Sequence, residues 1–239
     1  AIGNQYFRYY NLRNAEAITY GGQFSIRWIE NKMNVYLNRV LKTKGEDYVI
    51  ASDTDSIYLN MGPLVETVYK GREKTDESVV GFLNKVSEME LEPYIQSSYE
   101  ELAEYVSAYD QKMIMKRENI ASSGIWTAKK RYMLNVWDSE GVRYSKPKLK
   151  MMGIEAVKSS TPAPCRTAIK DAINIMMNGT ENDLVSFIDT FKDEFNSLPP
   201  EDIAFPRSVN GLRKFKASGT VYTKGTPLHV RGTLLYNFH

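Results

Sequence analysis

The stretch Ala-Ser-Asp-Thr-Asp-Ser at residues 51–56 decides how the chain around it folds. Tyr-Val-Ile precedes it at 48–50 and Ile-Tyr-Leu follows it at 57–59, and these runs are mostly β-branched or aromatic, which favours strands. Two such runs joined by a short polar connection predict a β-hairpin. Side chains two positions apart on an extended backbone point the same way, so an extended tip would project Asp53 and Asp55 to one side.

Two carboxylates at one hairpin tip predict a cation site. They repel each other unless a cation neutralises them, and uncompensated charge is costly at the rim of a buried sheet. Mg²⁺ suits the position, because it takes hard oxygen ligands and is usually held by one or two carboxylates plus substrate phosphates. The alternative is that Asp53 and Asp55 only bond the local backbone, as is common in turns. An EF-hand is disfavoured, since the third acid, the central glycine and the distal glutamate are missing at the required spacing.

Composition narrows the class of protein. The chain has 239 residues, enough for one large or two smaller domains with a real core. Its formal net charge of +2 does not by itself predict nucleic-acid binding, so such a signal must come from where the charges lie. The single cysteine, Cys165, excludes an internal disulfide and favours a reducing compartment. Only His229 and His239 offer imidazole, which disfavours zinc. No apolar run has membrane-spanning length, so we predict no membrane partner.

Long helices are predicted around the hairpin. Apolar residues recur at three- and four-residue steps over 11–40, and a turn signal follows at 42–45. The glycine pair at 21–22 is explained either by a close approach of another backbone or by a kink. After the hairpin, a short helix is predicted over 63–70. A longer helix over 76–107 follows, with residues 76–78 as its cap, Met89 on its apolar face and a kink at Pro93.

The rest of the chain changes from strands to helices. Residues 111–138 predict two strands joined near Ser122–Gly124, followed by a turn at 138–141 and a strand over 149–154. A boundary at 159–164 precedes two amphipathic helices, over 165–177 and 183–195, with a stop at Asn178-Gly179 between them. The sequence therefore predicts an α+β fold. An antiparallel sheet with packed helices occupies residues 1–155, and a mostly helical part occupies residues 156–239.

Three ordered motifs resemble those of family B DNA polymerases. The helix followed by Ser-Asp-Thr-Asp-Ser-Ile-Tyr resembles the motif C hairpin, and Lys-Lys-Arg-Tyr at 129–132 resembles the KKRY motif beside the primer terminus. Residues 1–19 resemble the sequence that leaves the fingers-helix motif B, and residues 153–162 resemble the palm-to-thumb crossover. The resemblance covers nearly the whole chain. It is strongest to the replicative polymerases of T-even-type bacteriophages.

The resemblance implies a two-metal active site. Asp55 resembles the metal-bridging, catalytic aspartate of motif C, and Asp53 resembles the neighbouring acid, which supports the site less directly. Two Mg²⁺ ions are implied, shared with an aspartate of motif A that this sequence lacks. Such a mechanism needs carboxylates that hold two cations about 3.5–4 Å apart. Glu118, in Met-Lys-Arg-Glu-Asn, matches a family glutamate near the metals, and the alternative is an exposed strand glutamate.

The lysine-rich motif has two interpretations. Lys129, Lys130 and Arg131 lie on a predicted strand, and the first interpretation is an exposed edge strand in which lysine guards against aggregation. The resemblance instead implies that these three residues, with Tyr132 and Thr54, contact primer DNA. Minor-groove acceptors lie in similar places for every correct base pair, so a donor such as Lys130 would test pairing without reading sequence. Arg131 would then suit a phosphate, and Tyr132 would pack beneath.

The resemblance also implies the function and its incompleteness. Neither the motif A pattern D-x-x-S-L-Y-P nor the motif B pattern K-x-x-x-N-S-x-Y-G occurs in the sequence. We therefore expect part of a replicative DNA polymerase, with a palm portion over 1–155 and an incomplete thumb over 156–239, inactive without a missing N-terminal half. The implied partners are primer-template DNA, deoxynucleoside triphosphates, that N-terminal segment and a sliding clamp, in the cytoplasm of an infected bacterium. A non-catalytic nucleic-acid-binding module and a D-x-D glycosyltransferase stay open as alternatives.

Overall fold

The computed structural model describes residues 1–217 and 219–238, so His239 lies outside the described residues. It confirms the predicted α+β fold, with long helices and small antiparallel sheets. The chain divides into two compact units. The first contains Ala1–Lys130 and Leu134–Lys150, and the second contains Arg131–Met133 together with the chain from Met151 onward. The predicted division into palm and thumb by function stays a prediction.

Helix α1 (Leu12–Leu41) has the predicted length but is buried along only part of it. Asn11 caps its first turn by accepting a hydrogen bond from the backbone of Asn14, and Lys42, directly after the helix, has a left-handed conformation. Its buried side chains all lie in the C-terminal half; they are Ile29, Met33 and Leu37. Three apolar residues of the predicted repeat in the first half, Leu12, Ile18 and Phe24, are exposed. A side chain at either glycine of the 21–22 pair would meet nothing within 4 Å in the described chain, so no close backbone approach explains them.

The hairpin forms as predicted. Strand β1 (Val49–Asp53) pairs antiparallel with β2 (Ser56–Leu59), and Asp53 faces Ser56 across the ladder. Thr54 and Asp55 are therefore a two-residue loop. The register places the two aspartates in different environments, because Asp53 ends β1 and Asp55 lies in the turn.

Three helical segments follow the hairpin. They are α2 (Gly62–Val68), α3 (Asp76–Val86) and α4 (Glu92–Tyr105), and a π-helical turn at Ser87–Leu91 joins the last two. Thr75 caps α3 in a reciprocal capping box with Ser78, one residue before the predicted cap. Met89 is exposed, so its predicted place on the apolar face is wrong. The π-helical turn lengthens the repeat locally and rotates Met89 away from the buried stripe.

The core of the first unit lies between α1, α4 and the hairpin. Ile29 and Met33 of α1 pack with Val49 of β1 and with apolar side chains of the π-helical turn and α4, which are Leu91, Ile95, Tyr99 and Leu102. Ile57 of β2 packs against the same cluster. Burial of such side chains contributes about 1.5–3 kcal/mol each relative to exposure. This cluster therefore anchors the base of the hairpin and leaves its tip free.

A separate three-stranded sheet follows, in the order β3 (Asn119–Ala128), β4 (Arg131–Ser139), β5 (Val142–Met152). The turn predicted at Ser122–Gly124 is wrong, because those residues lie inside β3 and the turn is Lys129–Lys130. A Cβ at Gly124 would come within 2.7 Å of Leu134 Cδ2 on β4, so glycine is needed there for packing and not for a turn. The turn at 138–141 is confirmed, but the strand after it begins at Val142, earlier than predicted.

The second unit is mostly helical, as predicted. Helices α5 (Ala163–Asn178) and α6 (Glu181–Ser197) are separated by Gly179 and a capping box at Thr180. The other α-helices in the described part of this unit are the short α7 (Pro200–Ile203) and α8 (Leu228–Tyr236). In the described part of the chain, no helix is both long and apolar enough to cross a bilayer.

Candidate active site at two hairpin turns

The β1–β2 turn is tightly folded at Thr54. This residue has φ 55°, in the left-handed region that β-branched residues rarely adopt. The backbone N–H of Asp55 donates to the carbonyl of Asp53 at 2.6 Å, a bond over two residues that is typical of a γ-turn. The extended tip assumed from the sequence is therefore absent from this turn, and the two aspartates do not share a strand face.

Asp53 is engaged by its neighbours. Its carboxylate Oδ1 accepts a hydrogen bond from the Thr54 hydroxyl at 3.1 Å and lies 4.0 Å from Lys130 Nζ. Its backbone carbonyl accepts a hydrogen bond from the Ser56 hydroxyl at 3.2 Å. The Asp53 side chain is 31% exposed, so the ion pair with Lys130 is partly shielded from water. This acid is held in place from both sides of the turn.

Asp55 is the more open of the two acids. It is exposed, and in the described part of the chain its carboxylate accepts no hydrogen bond. Its charge acts on Tyr99, a buried residue of α4. Burial raises the pKa of the Tyr99 hydroxyl, and the negative charge of Asp55 raises it further. Sequence analysis did not single out Tyr99, because its spacing fits the apolar stripe of its helix and carries no other signal.

The lysine-rich motif forms the second turn. Lys129 and Lys130 are the exposed two-residue loop between β3 and β4, so their predicted place on a strand is wrong. Lys130 has φ 60°, so it lies in the left-handed region, as Thr54 does. Two-residue hairpin loops usually carry glycine, asparagine or aspartate, which explains why two lysines were not recognised as a turn. Arg131 begins β4, and Tyr132 is buried; its role beneath a primer contact stays a prediction.

A ring contact supports the neighbouring hairpins. The Tyr58 ring on β2 and the Trp126 ring near the end of β3 have centroids 5.2 Å apart and planes inclined at 70°. Such edge-to-face pairs contribute about 0.5–1.5 kcal/mol beyond their area burial. Trp126 lies four residues before Lys130, and Tyr58 lies five residues after Asp53. The exposed Thr54 lies at the same tip.

Arg131 has an acidic partner of its own. One of its guanidinium nitrogens, Nη2, lies 3.9 Å from Glu155 Oε1, and Glu155 also accepts a hydrogen bond from Lys158 Nζ at 2.7 Å. The bond from Lys158 is the main cause that lowers the pKa of Glu155, followed by the charges of Lys158 and Arg131. All three side chains are about half exposed, so the pairs are weak. A phosphate could therefore compete with Glu155 for Arg131.

The structure does not bring Glu118 to the two aspartates. It precedes β3, whereas the Lys129–Lys130 loop follows that strand, and ten extended residues span about 33 Å. Glu118 is exposed, and its carboxylate lies 4.0 Å from Lys150 Nζ. Within residues 1–217 and 219–238, no three acidic, histidine or cysteine side chains come together as a metal site. A role for Glu118 as a ligand stays a prediction without a supporting contact.

The two aspartates fit part of a magnesium site. Both present hard carboxylate oxygens, and Asp55 is open to solvent. Mg²⁺ needs six oxygen ligands in near-octahedral geometry and usually keeps several waters. Two carboxylates supply only part of that shell, so further ligands must come from water, substrate phosphates or another segment.

Comparison with known proteins agrees with the motifs. No family model matches the chain. It is 42% identical over 245 residues to the DNA-directed DNA polymerase of Escherichia phage RB69 and 38% identical over 244 residues to that of Enterobacteria phage T4. Each match covers 99% of this chain and 27% of the relative, so the chain spans about a quarter of the length of these polymerases. The chain is therefore related, over nearly its whole length, to one section of the T-even-type phage DNA polymerases, as its motifs predicted.

Proposed function

We propose that the chain is the part of a replicative DNA polymerase that supplies one side of the metal site and a contact to the primer end. The observation that carries the proposal is the 4.0 Å approach of Lys130 Nζ to Asp53 Oδ1. It brings together the two stretches that separately resemble motif C and KKRY. A polymerase needs its metal ligands beside its primer contact, because the primer 3′ hydroxyl attacks at the metals.

In this proposal the acids have unequal roles. Asp55, which is exposed and accepts no hydrogen bond in the described chain, holds Mg²⁺ directly, and Asp53 supports the site from the end of β1. When bound, the ions stabilise charge on the attacking and leaving oxygens of nucleotide addition. The second bridging carboxylate would come from a segment other than the described residues. Glu118 is left out of the proposed site because of its distance along β3.

The proposed primer contact is made by the tips of both hairpins. Lys129, Lys130 and Thr54 are exposed there and offer donors to minor-groove acceptors, whose positions vary little among correct base pairs. Arg131 would exchange Glu155 for a backbone phosphate, a contact that positions DNA without specifying sequence. The buried Tyr132 supports the strand behind this turn.

The proposed partners follow from this role. They are primer-template DNA, deoxynucleoside triphosphates and a further polymerase segment that completes the metal site. Association with a sliding clamp, and action in the cytoplasm of an infected bacterium, belong to the same proposal. We also propose that this chain alone does not extend primers, because a two-metal site needs a further bridging carboxylate.

The test is Asp55→Asn in the complete polymerase. Substitution should lower single-turnover nucleotide incorporation by orders of magnitude and leave primer-template affinity nearly unchanged, because a metal ligand is lost and no DNA contact is. Asp53→Asn should cost less, and Asp110→Asn, at an exposed acid remote in sequence, should change neither quantity. Full incorporation by the Asp55→Asn enzyme would contradict the proposal. If the unsubstituted enzyme binds DNA but shows no metal-dependent incorporation, a non-catalytic DNA-binding module is favoured instead.

A further inference from the structure

We propose that Arg117 holds the π-helical turn at Ser87–Leu91 in place, and that this turn sets the rotation of α4 beneath the β1–β2 hairpin. The inference rests on the proposed function and adds a residue to the support of its metal site. Arg117 acts through α4 and not on the reacting atoms, so it is a positioning residue.

The spacing of the buried residues explains why the helix needs such a turn. Ser87, Leu91, Ile95 and Tyr99 are all buried and follow one another at four-residue steps. Four residues of an α-helix turn through about 400°, so three such steps would carry the buried face about 120° around the axis. At the π-helical turn the backbone N–H of Glu92 donates to the carbonyl of Ser87, five residues back. The wider turn takes up part of this rotation, so the buried residues before and after it can face the same side.

Arg117 is bonded to both ends of this turn. Its guanidinium donates to the side-chain oxygen of Asn84, in the last turn of α3, and its backbone N–H donates to Glu92 Oε1, at the start of α4, at 3.0 Å. Asn84 in turn donates to Glu88 Oε1, inside the π-helical turn, at 2.9 Å. The guanidinium also pairs with the buried Asp138 of β4. Because the donors of a guanidinium form a rigid planar fork, the pair with Asp138 fixes the direction in which Arg117 reaches Asn84.

The rotation of α4 matters because this helix supports the hairpin. Leu91 and Ile95 belong to the buried cluster that contains Val49 of β1, and Ile57 of β2 packs against the same cluster. The hairpin is a two-stranded sheet, and an isolated hairpin is at best marginally stable without such packing. A shift of α4 by one residue rotates its face by about 100° and would bring polar positions such as Gln96 toward the hairpin. The hairpin that presents the proposed metal ligands would then lose this support.

The test is made in the complete polymerase with Arg117→Lys. Lysine keeps a positive charge for Asp138, but its single ammonium group cannot reproduce the fork that reaches Asn84 as well. Loss of a hydrogen bond from a charged donor corresponds to roughly a tenfold shift in an equilibrium, so amide hydrogen exchange over residues 87–92 should quicken about tenfold by mass spectrometry. Single-turnover incorporation should fall about tenfold, because a slightly displaced metal ligand is much less effective. Primer-template affinity should change less than about twofold, since no DNA contact is lost.

The matched control is Arg143→Lys, which changes the other arginine of the same carboxylate. Arg143 Nε lies 3.8 Å from Asp138 Oδ2, but the described structure places no bond between Arg143 and Asn84 or Glu92. Exchange over residues 87–92 and the incorporation rate should each change less than about twofold in this variant. Equal effects of Arg117→Lys and Arg143→Lys would overturn the inference, because the cluster would then act only through stability.

Glu92→Met tests the other end of the turn and keeps the inference testable if Arg117→Lys does not fold. It removes the acceptor of the Arg117 backbone N–H and leaves the buried pair with Asp138 intact. It should also quicken exchange over residues 87–92 and slow incorporation. Faster exchange with an unchanged rate would show that the turn does not position the hairpin, and unchanged exchange would show that Arg117 does not hold the turn. Either result contradicts the inference.

Asp55→Asn separates this inference from the proposed function. If Asp55→Asn retains full incorporation, the proposed function is wrong. If Asp55→Asn abolishes incorporation while neither Arg117→Lys nor Glu92→Met affects exchange or rate, the proposed function stands and only the role of Arg117 fails.

Discussion

Asp138 is a buried charge that connects the three-stranded sheet to α3, and its replacement by asparagine tests how far the first unit depends on it. Its side chain is 3% exposed and pairs with Arg117, which is 12% exposed. Arg143 Nε lies 3.8 Å from its second oxygen, and the backbone N–H of Gly141 donates to the first at 3.0 Å. Arg117 also donates to the side chain of Asn84 on α3, so the cluster joins the helix to the sheet.

The expected cost of Asp138→Asn follows from these contacts. Losing one partner of a buried ion pair costs about 3–5 kcal/mol, because the remaining charge stays in the interior uncompensated. The Arg143 side chain is 42% exposed, so its share of the loss is small. Asparagine keeps an acceptor for Gly141, which favours the lower end of the range. We expect a loss of about 3 kcal/mol, a large part of the roughly 5–15 kcal/mol by which domains are stable.

Urea unfolding followed by tryptophan fluorescence measures this loss in the relevant unit. All tryptophans of the chain lie in the same compact unit as Asp138; they are Trp28, Trp126 and Trp137. The matched control is Asp110→Asn, whose carboxylate is 55% exposed and 3.4 Å from Lys112 Nζ. That exposed pair should contribute no more than about 1 kcal/mol. Equal losses for the two substitutions would refute the assignment of the cluster as a buried support.

Four other substitutions have expected outcomes. In the same urea assay, Gly124→Ala should lower the free energy of unfolding by about 1–3 kcal/mol, since the added methyl group would overpack β3 against β4. Gly22→Ala, in open space on a helix, should raise the free energy of unfolding by up to about 1 kcal/mol. Because the folded-state pKa of Tyr99 is raised, its contribution to stability is fully present below about pH 10 and is lost as pH rises through the folded value. Asp55→Asn should shift the ultraviolet titration of Tyr99 downward, and an unchanged titration would disprove their proximity. In the complete polymerase, Lys130→Ala should lower discrimination against a mismatched primer end. Loss of a phosphate contact changes the slope of log affinity against log salt concentration by roughly one unit, and Lys130→Ala should change that slope by less.

Local chemistry in the sequence determined the hairpin, the helix lengths and the residue types of the site. Strand-forming runs on both sides of Asp53 and Asp55 predicted β1 and β2, because turn position and strand propensity are encoded within a few residues. The 11–40 repeat predicted α1 for the same reason. Gly179 follows the end of α5 and the Thr180 side chain caps α6, since capping groups act on the nearest backbone. The motifs also predicted the relationship to phage polymerases.

Tertiary structure alone decided which of these residues meet. Lys130 lies beside Asp53 because the chain turns at Lys129–Lys130, which carry no usual turn residue. Neither this turn nor the packing of Tyr58 on Trp126 is visible in the local pattern. Gly124 read as a turn residue but is required by the side chains that crowd it. Burial, packing and left-handed backbone depend on residues distant in sequence. A pattern read over a short window therefore predicts elements and chemistry, whereas the position of each charge relative to another is set only when the hairpins pack.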